Sequence, residues 1–281
     1  MKILILGGGG TLGKDLIAVL RQKKEEFYSF TKDQLNILNN EKLSKTIDEL
    51  KPDLIINCAA YTKVDMAEIE REKAFNVNAL AVFNLAKICK EKGILLSHIS
   101  TDYVFSGTKK TPYHPFDMAE PINYYGVSKL YGEYFIRESK CDYLIVRTSW
   151  LYGTEGDNFF LRLLAKSETK DEIAVETDQV SSPTSTLTLS KALISLINKG
   201  ARGIFNVTDR TNNGISLNSF ARKVIEVFNK TTFIKPVRSS ELLKPAKRPE
   251  YSVLDIEATE YIIGERLPYW EISLGEIKKR L

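Results

Sequence analysis

The chain has 281 residues, of which 43% are hydrophobic and 27% charged, a composition typical of folded proteins that bury a large core. Its 40 basic and 36 acidic residues are mixed along the chain and leave a net charge of +4. Because nucleic-acid-binding proteins carry clustered basic surfaces, we expect no nucleic-acid partner. The slight positive balance suits a small anionic ligand instead.

The apolar N-terminal run and the cysteines indicate where the protein works. Lys2–Leu6 is far too short for a signal peptide or a membrane span, and glycines follow at once, so we interpret it as a buried strand. Cys58, Cys89 and Cys141 stand in apolar surroundings without the spacing of a zinc site or a disulfide scaffold. We therefore expect reduced thiols, no membrane partner and a cytoplasmic location.

Strand-like and helix-like stretches alternate through the first half of the chain. Apolar runs predict strands at Lys2–Leu6, Phe27–Phe30, Asp53–Cys58, Ile94–Ile99 and Tyr143–Arg147. Helical spacing predicts helices at Leu12–Gln22, Leu43–Leu50, Glu68–Lys90 (one helix or two) and Ser128–Arg137. The alternation indicates the α/β class, with a Rossmann-type doubly wound parallel sheet covered on both faces. Ligands of such sheets bind at the carboxyl ends of the strands.

The pattern changes after about residue 150. Helical segments remain at Ser190–Lys199, at Ser216–Asn229 and near the C-terminus, and polar loops such as Thr177–Thr188 separate them. We therefore predict a dinucleotide-binding domain over residues 1–150 and a smaller, mainly substrate-binding lobe over residues 151–281. A short apolar run at Gly203–Val207 is placed to return to the main sheet as an extra strand.

A glycine-rich turn joins the first predicted strand to the first predicted helix. Gly7, Gly10 and Gly13 are spaced as Gly-x-x-Gly-x-x-Gly. The first glycine permits a tight turn, the second lets the backbone approach a pyrophosphate, and the third lets the helix pack close to the strand. Unpaired N–H groups at the helix N-terminus attract the anion. This strand–turn–helix context favours dinucleotide binding over a merely flexible loop.

The end of the second predicted strand bears on which dinucleotide is bound. An acidic residue there favours NAD, because it accepts hydrogen bonds from the free ribose hydroxyls. Here the strand ends with Phe30 and Thr31, and then comes Lys32, a cation suited to the 2′-phosphate of NADP. Asp33 follows directly. We therefore favour NADP and leave the use of NAD open, as well as a purely solvated role for Lys32.

Tyr125 and Lys129 form a Tyr-x-x-x-Lys pair. Positions four apart share one face of a helix, so we expect the ammonium to lie near the phenol and to lower its pKa. Such a tyrosine donates a proton to a carbonyl oxygen as hydride arrives, while the lysine binds the nicotinamide ribose. Thr101 follows a predicted strand and is placed to polarise the same carbonyl. A chance surface pair of tyrosine and lysine is the alternative.

The motifs together resemble those of extended short-chain dehydrogenases/reductases and, within them, of the dTDP-4-dehydrorhamnose reductases. The matching stretches are Gly7–Gly13, Ala59–Glu68, Ser100–Phe105, Pro121–Glu133, Arg147–Gly153, Asp178-Gln179, Pro183-Thr184, Arg248-Pro249 and Ser252. The resemblance implies that NADPH reduces the 4-keto group of dTDP-4-dehydro-L-rhamnose to give dTDP-L-rhamnose. It also implies that Tyr125 donates the proton, that Lys129 tunes it and binds ribose, and that Thr101 orients the keto oxygen.

The resemblance assigns further contacts to the two ligands. On the cofactor side, the phosphates would contact Gly10, Thr11 and Leu12. The adenine would contact Asn36 and Ile37, and the middle of the molecule would contact Ala59, Ala60 and Tyr61. On the substrate side, the sugar nucleotide would contact Thr101, Asp102 and Trp150. Arg248 is suited to bind the substrate diphosphate with both arms of its guanidinium.

Departures from the family pattern leave alternatives open. Lys63 and Tyr251 replace the usual residues, which leaves room for another nucleotide-sugar 4-keto reductase. A non-catalytic regulatory subunit of the same fold is a third interpretation, although Thr101, Tyr125 and Lys129 are all present. Some family members hold magnesium at a subunit interface; because Pro115 replaces a glutamate of the pattern, we expect no metal here. A homodimer is expected by analogy alone.

Overall fold

The computed structural model describes all residues, 1–281. The strands of the first half are β1 (Lys2–Leu6), β2 (Glu26–Phe30), β3 (Leu54–Asn57), β4 (Leu95–Thr101) and β5 (Tyr143–Thr148). Its helices are α1 (Thr11–Gln22), α2 (Asn40–Leu50), α3 (Val64–Ala67), α4 (Arg71–Phe75), α5 (Ala81–Lys92) and α6 (Tyr124–Ser139). A π-helical turn over Asn76–Leu80 links α4 to α5. A 3₁₀ turn over Asp102–Val104 follows β4 directly.

The second half is built from shorter elements. Its strands are β6 (Leu151–Tyr152), β7 (Glu172–Glu176), β8 (Val180–Ser181), β9 (Thr184–Ser185), β10 (Gly203–Asn206), β11 (Ile215–Ser216) and β12 (Phe233–Val237). Its helices are α7 (Phe159–Ser167), α8 (Thr186–Asn198), α9 (Leu217–Val227), α10 (Glu257–Ile263) and α11 (Trp270–Lys278). No helix is long and apolar enough to cross a membrane.

Six parallel strands form the central sheet, in the order β10-β5-β4-β3-β1-β2. β2 lies on one side of β1, and β3, β4, β5 and β10 follow on the other side, which is the arrangement of a doubly wound fold. The prediction of a Rossmann-type α/β fold is therefore confirmed. Gly203 to Asn206 lie beside Leu144 to Arg147 at one edge of the sheet. The division into two domains at residue 150 stays a prediction.

Alternating side chains of the strands build a separate core on each face of the sheet. Ile3 and Ile5 of β1 point to the face covered by α1 and α8, whereas Leu4 and Leu6 point to the face covered by α2, α5 and α6. All four side chains are fully buried. Each contributes roughly 1.5–3 kcal/mol by leaving water. β1 is therefore apolar from Ile3 to Leu6, as expected for a strand covered on both sides.

A third core holds the second half together. Tyr152, Phe160 and Phe220 are its largest fully buried side chains, and α7, α9 and α11 build the core around them. The parallel pair β7 and β12 flanks this core and was not predicted. These strands escaped the sequence analysis because neither EIAVE nor FIKPV is a continuous apolar run, and each leaves some of its residues exposed.

Two helix boundaries differ from the prediction because side chains cap them. α6 begins at Tyr124 rather than at Ser128, since the Asn123 side chain accepts a hydrogen bond from Gly126 N (2.8 Å). α8 begins at Thr186 rather than at Ser190, since Ser185 Oγ accepts one from Thr188 N (3.0 Å). The predicted helix over Glu68–Lys90 is broken into three segments, with the buried Asn78 in the π-helical turn.

Candidate active site

A cavity of about 540 Å³ lies at the carboxyl ends of β1, β3, β4 and β5. The glycine-rich turn, Trp150, Thr101, Tyr125 and Lys129 all line it. These residues come from four separate stretches of the chain. The fold therefore brings the predicted cofactor turn and the predicted catalytic residues to one place.

The glycine-rich turn is shaped as a cradle of backbone amides. Gly7 has φ +82°, and Cβ atoms added at Gly7 or Gly13 would lie 2.8 Å from Ala59 N and 2.5 Å from Gly7 O, so side chains are excluded at both positions. No acidic residue stands in the first turn of α1. Thr11 and Leu12 line the cavity, with the Leu12 side chain in the core. The turn thus fits the pyrophosphate of a dinucleotide.

The segment that follows β2 was predicted to meet the adenine, but none of its residues lines this cavity. Lys32 is exposed and forms no ion pair, so its ammonium is free to meet an anion. Asn36 closes its own turn, because its side-chain oxygen accepts a hydrogen bond from Leu38 N (3.0 Å). The Ile37 side chain is buried in the core beneath the sheet, so a contact with adenine would come from its backbone.

The segment after β3 contributes backbone rather than side-chain contacts. Ala60 lines the cavity, and Ala59 packs directly against Gly7. The Tyr61 phenol points to Glu70, to which it donates a hydrogen bond of 2.6 Å. Asn78 holds this segment in place by bonding both Tyr61 N and Tyr61 O, at 2.8 and 3.0 Å. Asn78 was missed in the sequence, where it looks like any helical asparagine.

Tyr125 lies in the first turn of α6, half-buried at the cavity wall. The ring of Tyr103 stands edge-on to it, with centroids 6.0 Å apart. Burial raises the pKa of the Tyr125 phenol, hydrogen bonding with Thr101 opposes that rise, and the nearby Asp102 adds to it. The expectation of a phenol made acidic by Lys129 is thus wrong for the cofactor-free protein.

The pKa of the phenol is not lowered, because the Lys129 side chain turns inward, towards β4. Its ammonium nitrogen lies 2.6 Å from Ile99 O and 3.0 Å from His98 Nε2, and only 1% of the residue is exposed. Burial lowers the pKa of Lys129 to about 8, although Glu133 and Cys58 oppose that shift. The helical spacing places Lys129 at the same cavity as Tyr125, but without a contact to the phenol.

Asp102 is a buried carboxylate without a cationic partner. Its two oxygens accept hydrogen bonds from Thr101 Oγ1 (3.1 Å) and Ser252 Oγ (2.6 Å), and 2% of the residue is exposed. Burial raises the pKa of Asp102 to about 7, while the hydroxyl donors counteract the rise. Ser252 comes from the second half of the chain, so Asp102 joins the two halves at the cavity wall.

Trp150 and Arg248 were both predicted to contact the substrate, but only Trp150 lines the cavity. Trp150 lines the cavity in a left-handed backbone conformation (φ +41°), which is costly for a tryptophan. Arg248 lies outside the cavity wall and pairs with both oxygens of Asp65, at 2.6 and 2.7 Å. The binding of the substrate diphosphate by Arg248 stays a prediction, and in this structure Asp65 occupies the guanidinium.

A buried ion pair between Arg147 and Glu133 joins β5 to α6. Arg147 of β5 donates to both oxygens of Glu133 on α6, at 2.9 and 2.6 Å, and Ser100 of β4 donates to Glu133 at 2.5 Å. Arg147 also donates to Pro115 O (2.9 Å). Side-chain exposure of the pair is 4% and 2%. An arginine at the end of an apolar strand was the signal that could have revealed it.

No group of three or more histidine, cysteine, aspartate or glutamate side chains is arranged to hold a metal ion. At Pro115, where the family pattern has a glutamate, the backbone oxygen is engaged by Arg147. The residues present thus offer magnesium no acidic cluster within one chain.

Comparison with known proteins identifies relatives along the full length. The family model described as RmlD substrate binding domain matches residues 1–281. Spore coat polysaccharide biosynthesis protein SpsK of Bacillus subtilis is 38% identical, over 98% of this chain and 96% of SpsK. The dTDP-4-dehydrorhamnose reductase of Burkholderia thailandensis is 35% identical, over 98% of this chain and 97% of that protein.

A solved structure has the same fold throughout. It is the dTDP-4-dehydrorhamnose reductase of Bacillus anthracis in complex with NADP, which superposes with a TM-score of 0.95 at 36% identity. The superposition covers 100% of this chain and 99% of that protein. Because the family model matches the whole chain, the chain belongs to the RmlD substrate binding domain family.

Proposed function

We propose that this protein is an NADPH-dependent reductase that converts the 4-keto group of dTDP-4-dehydro-L-rhamnose to the hydroxyl of dTDP-L-rhamnose. The observation that carries the proposal is the single cavity lined by the N-terminus of α1 at Thr11 and Leu12, by Thr101 and Tyr125, and by Lys129. These groups supply an anchor for a dinucleotide and a proton donor for a carbonyl.

The protein's own groups prepare the carbonyl and hold the proton. Bound NADPH supplies the hydride. Tyr125 would donate its hydroxyl hydrogen to the keto oxygen, and Thr101 would do so by turning its hydrogen away from Asp102. The developing negative charge would strengthen both hydrogen bonds. A raised pKa keeps the Tyr125 phenol protonated at neutral pH, which is the form that a proton donor needs. Lys129 lines the same cavity, with its nitrogen bound to Ile99 O and His98 Nε2.

The sugar nucleotide would enter beside Asp102 and Trp150, at the end of the cavity away from the glycine turn. Arg248 would bind its diphosphate by exchanging Asp65 for a phosphate oxygen. The cytoplasmic location and the homodimer remain predictions that accompany this function.

The test is an assay of NADPH oxidation with a panel of 4-keto nucleotide sugars. The dTDP-4-keto rhamnose precursor should be turned over, and dTDP-linked sugars with other ring stereochemistry should be slower. Faster turnover of a different sugar nucleotide would reassign the substrate but keep the reaction. Tight binding of another protein without turnover of any sugar would favour the regulatory interpretation.

Lys32 provides a test of the cofactor preference. In Lys32→Glu, we expect KM for NADPH to rise about tenfold or more, because a hydrogen bond to a charged phosphate is worth roughly 1.5–3 kcal/mol. KM for NADH should change little, since NADH has no 2′-phosphate. Lys199→Glu makes the same charge change at an exposed position beyond α8 and serves as the control. Equal effects on both cofactors would remove Lys32 from this role.

A further inference from the structure

Three buried polar side chains form a chain of hydrogen bonds behind the cavity. Asn57 ends β3, His98 stands in β4 and Lys129 in α6. The Asn57 amide nitrogen lies 3.1 Å from His98 Nδ1, and His98 Nε2 lies 3.0 Å from Lys129 Nζ. Asn57 and His98 are fully buried, so water cannot supply missing partners. Each hydrogen bond of this series therefore needs a donor and an acceptor from the protein itself.

The backbone fixes the orientation of Asn57. Ala59 N donates to Asn57 Oδ1 at 3.1 Å, so the oxygen of the amide faces Ala59 and its NH₂ group faces His98. An amide NH₂ can only donate, and His98 Nδ1 must then accept with its lone pair. A neutral imidazole carries one hydrogen, so in His98 that hydrogen sits on Nε2.

The hydrogen on His98 Nε2 points at Lys129. An ammonium has three hydrogens and no lone pair, so it would oppose the N–H of His98 donor to donor. A neutral amine accepts from His98 Nε2 and still donates to Ile99 O at 2.6 Å. Only the neutral amine satisfies every contact in the inward position.

The surrounding charges do not reverse this preference. Glu133 on the same helix is the one carboxylate that favours the charged form of Lys129, and it is already bound by Arg147 and Ser100. Cys58, beyond β3, faces Lys129 and has its pKa raised to about 12 by burial, so it stays a neutral thiol. Burial and the nearby lysine hold the pKa of His98 well below its ordinary value.

We infer that His98 is a positioning residue that holds Lys129 as a neutral amine in the inward position, so that Lys129 must take up a proton to turn outward and bind the cofactor. The second half of this inference rests on the proposed function, because it takes NADPH as the ligand that draws Lys129 out. The first half concerns the cofactor-free protein alone. It gives Lys129 two states: an amine bound to His98 and an ammonium turned to the cavity.

Nitrogen NMR of the histidines tests the first half directly. The chain has only two histidines, the buried His98 and the exposed His114, and His114→Gln assigns their signals. At pH 8.5 without cofactor, His98 should be neutral with its hydrogen on Nε2. In Asn57→Asp, a carboxylate of the same size accepts from both Ala59 N and His98 Nδ1, and the hydrogen should move to Nδ1. Wild-type protein with the hydrogen on Nδ1, or with both nitrogens protonated, would overturn the inference.

Calorimetry tests the second half. Binding of NADPH at pH 8.5, measured in two buffers of different ionisation enthalpy, should be accompanied by uptake of about one proton in the wild type. Asn57→Asp should take up less than half as much, because its Lys129 is already charged. NADPH binding without proton uptake in the wild type would refute the inferred link between His98 and cofactor binding. A protein that fails to bind NADPH would instead refute the proposed function and leave the NMR result standing.

Discussion

Replacing Tyr125 with phenylalanine is expected to lower kcat by roughly 10²–10⁴-fold, the usual contribution of a positioned general acid. The variant keeps the ring that packs edge-on against Tyr103, so the cavity should hold its shape. Because the cofactor is anchored by the glycine turn at the other end of the cavity, the Kd for NADPH should stay within about threefold of the wild type. Steady-state turnover and fluorescence titration with NADPH measure the two quantities.

Tyr131→Phe is the matched control for this experiment. Tyr131 lies on the same helix, with 47% of its surface exposed, and contacts Phe75 on the outside of the protein. It should leave kcat unchanged. Near-normal turnover in Tyr125→Phe would transfer the role of proton donor to another group, whereas equal losses in both variants would indicate damage to α6.

Replacing Glu133 with glutamine is expected to lower the free energy of unfolding by about 3–5 kcal/mol, because it leaves the Arg147 guanidinium buried without its carboxylate. Arg147 and Glu133 form two hydrogen bonds and are almost completely buried, so solvent cannot replace the lost charge. Denaturation in urea, followed by tryptophan fluorescence, measures the loss as a lower midpoint at unchanged slope.

An exposed ion pair supplies the comparison for Glu133. Asp142 and Arg202 pair at 2.6 Å, but their side chains are 52% and 43% exposed. Asp142→Asn should therefore cost less than about 1 kcal/mol, since solvent screens such pairs. A loss of similar size in Glu133→Gln would mean that Arg147 finds other partners, with Pro115 O as the first candidate.

Much of the fold and of the cavity could be predicted from local sequence patterns. The strands of the first half lie close to where apolar runs placed them, because strands covered on both faces are mainly apolar. Gly7 to Gly13 form the predicted turn for an equally local reason, since backbone crowding there excludes side chains. Tyr125 and Lys129 share a helix, as their spacing required.

Contacts between distant parts of the chain could not be derived in this way. The inward turn of Lys129 depends on His98, which is 31 residues away and sits on another element. The pairing of Arg248 with Asp65 joins positions 183 residues apart, so the arginine looked free in the sequence. The strands β7 and β12 are half-exposed and short, and only their pairing across the fold reveals them.

The late position of α8 and β10 in the chain matters during synthesis. When only the first 150 residues have left the ribosome, β5 has an open edge and the face that includes Ile3, Ile5 and Val146 lacks the cover that α8 provides. Unpaired strand edges and bare apolar faces make nascent chains prone to aggregate. The central sheet is therefore complete only after translation has passed Asn206, the last residue of β10.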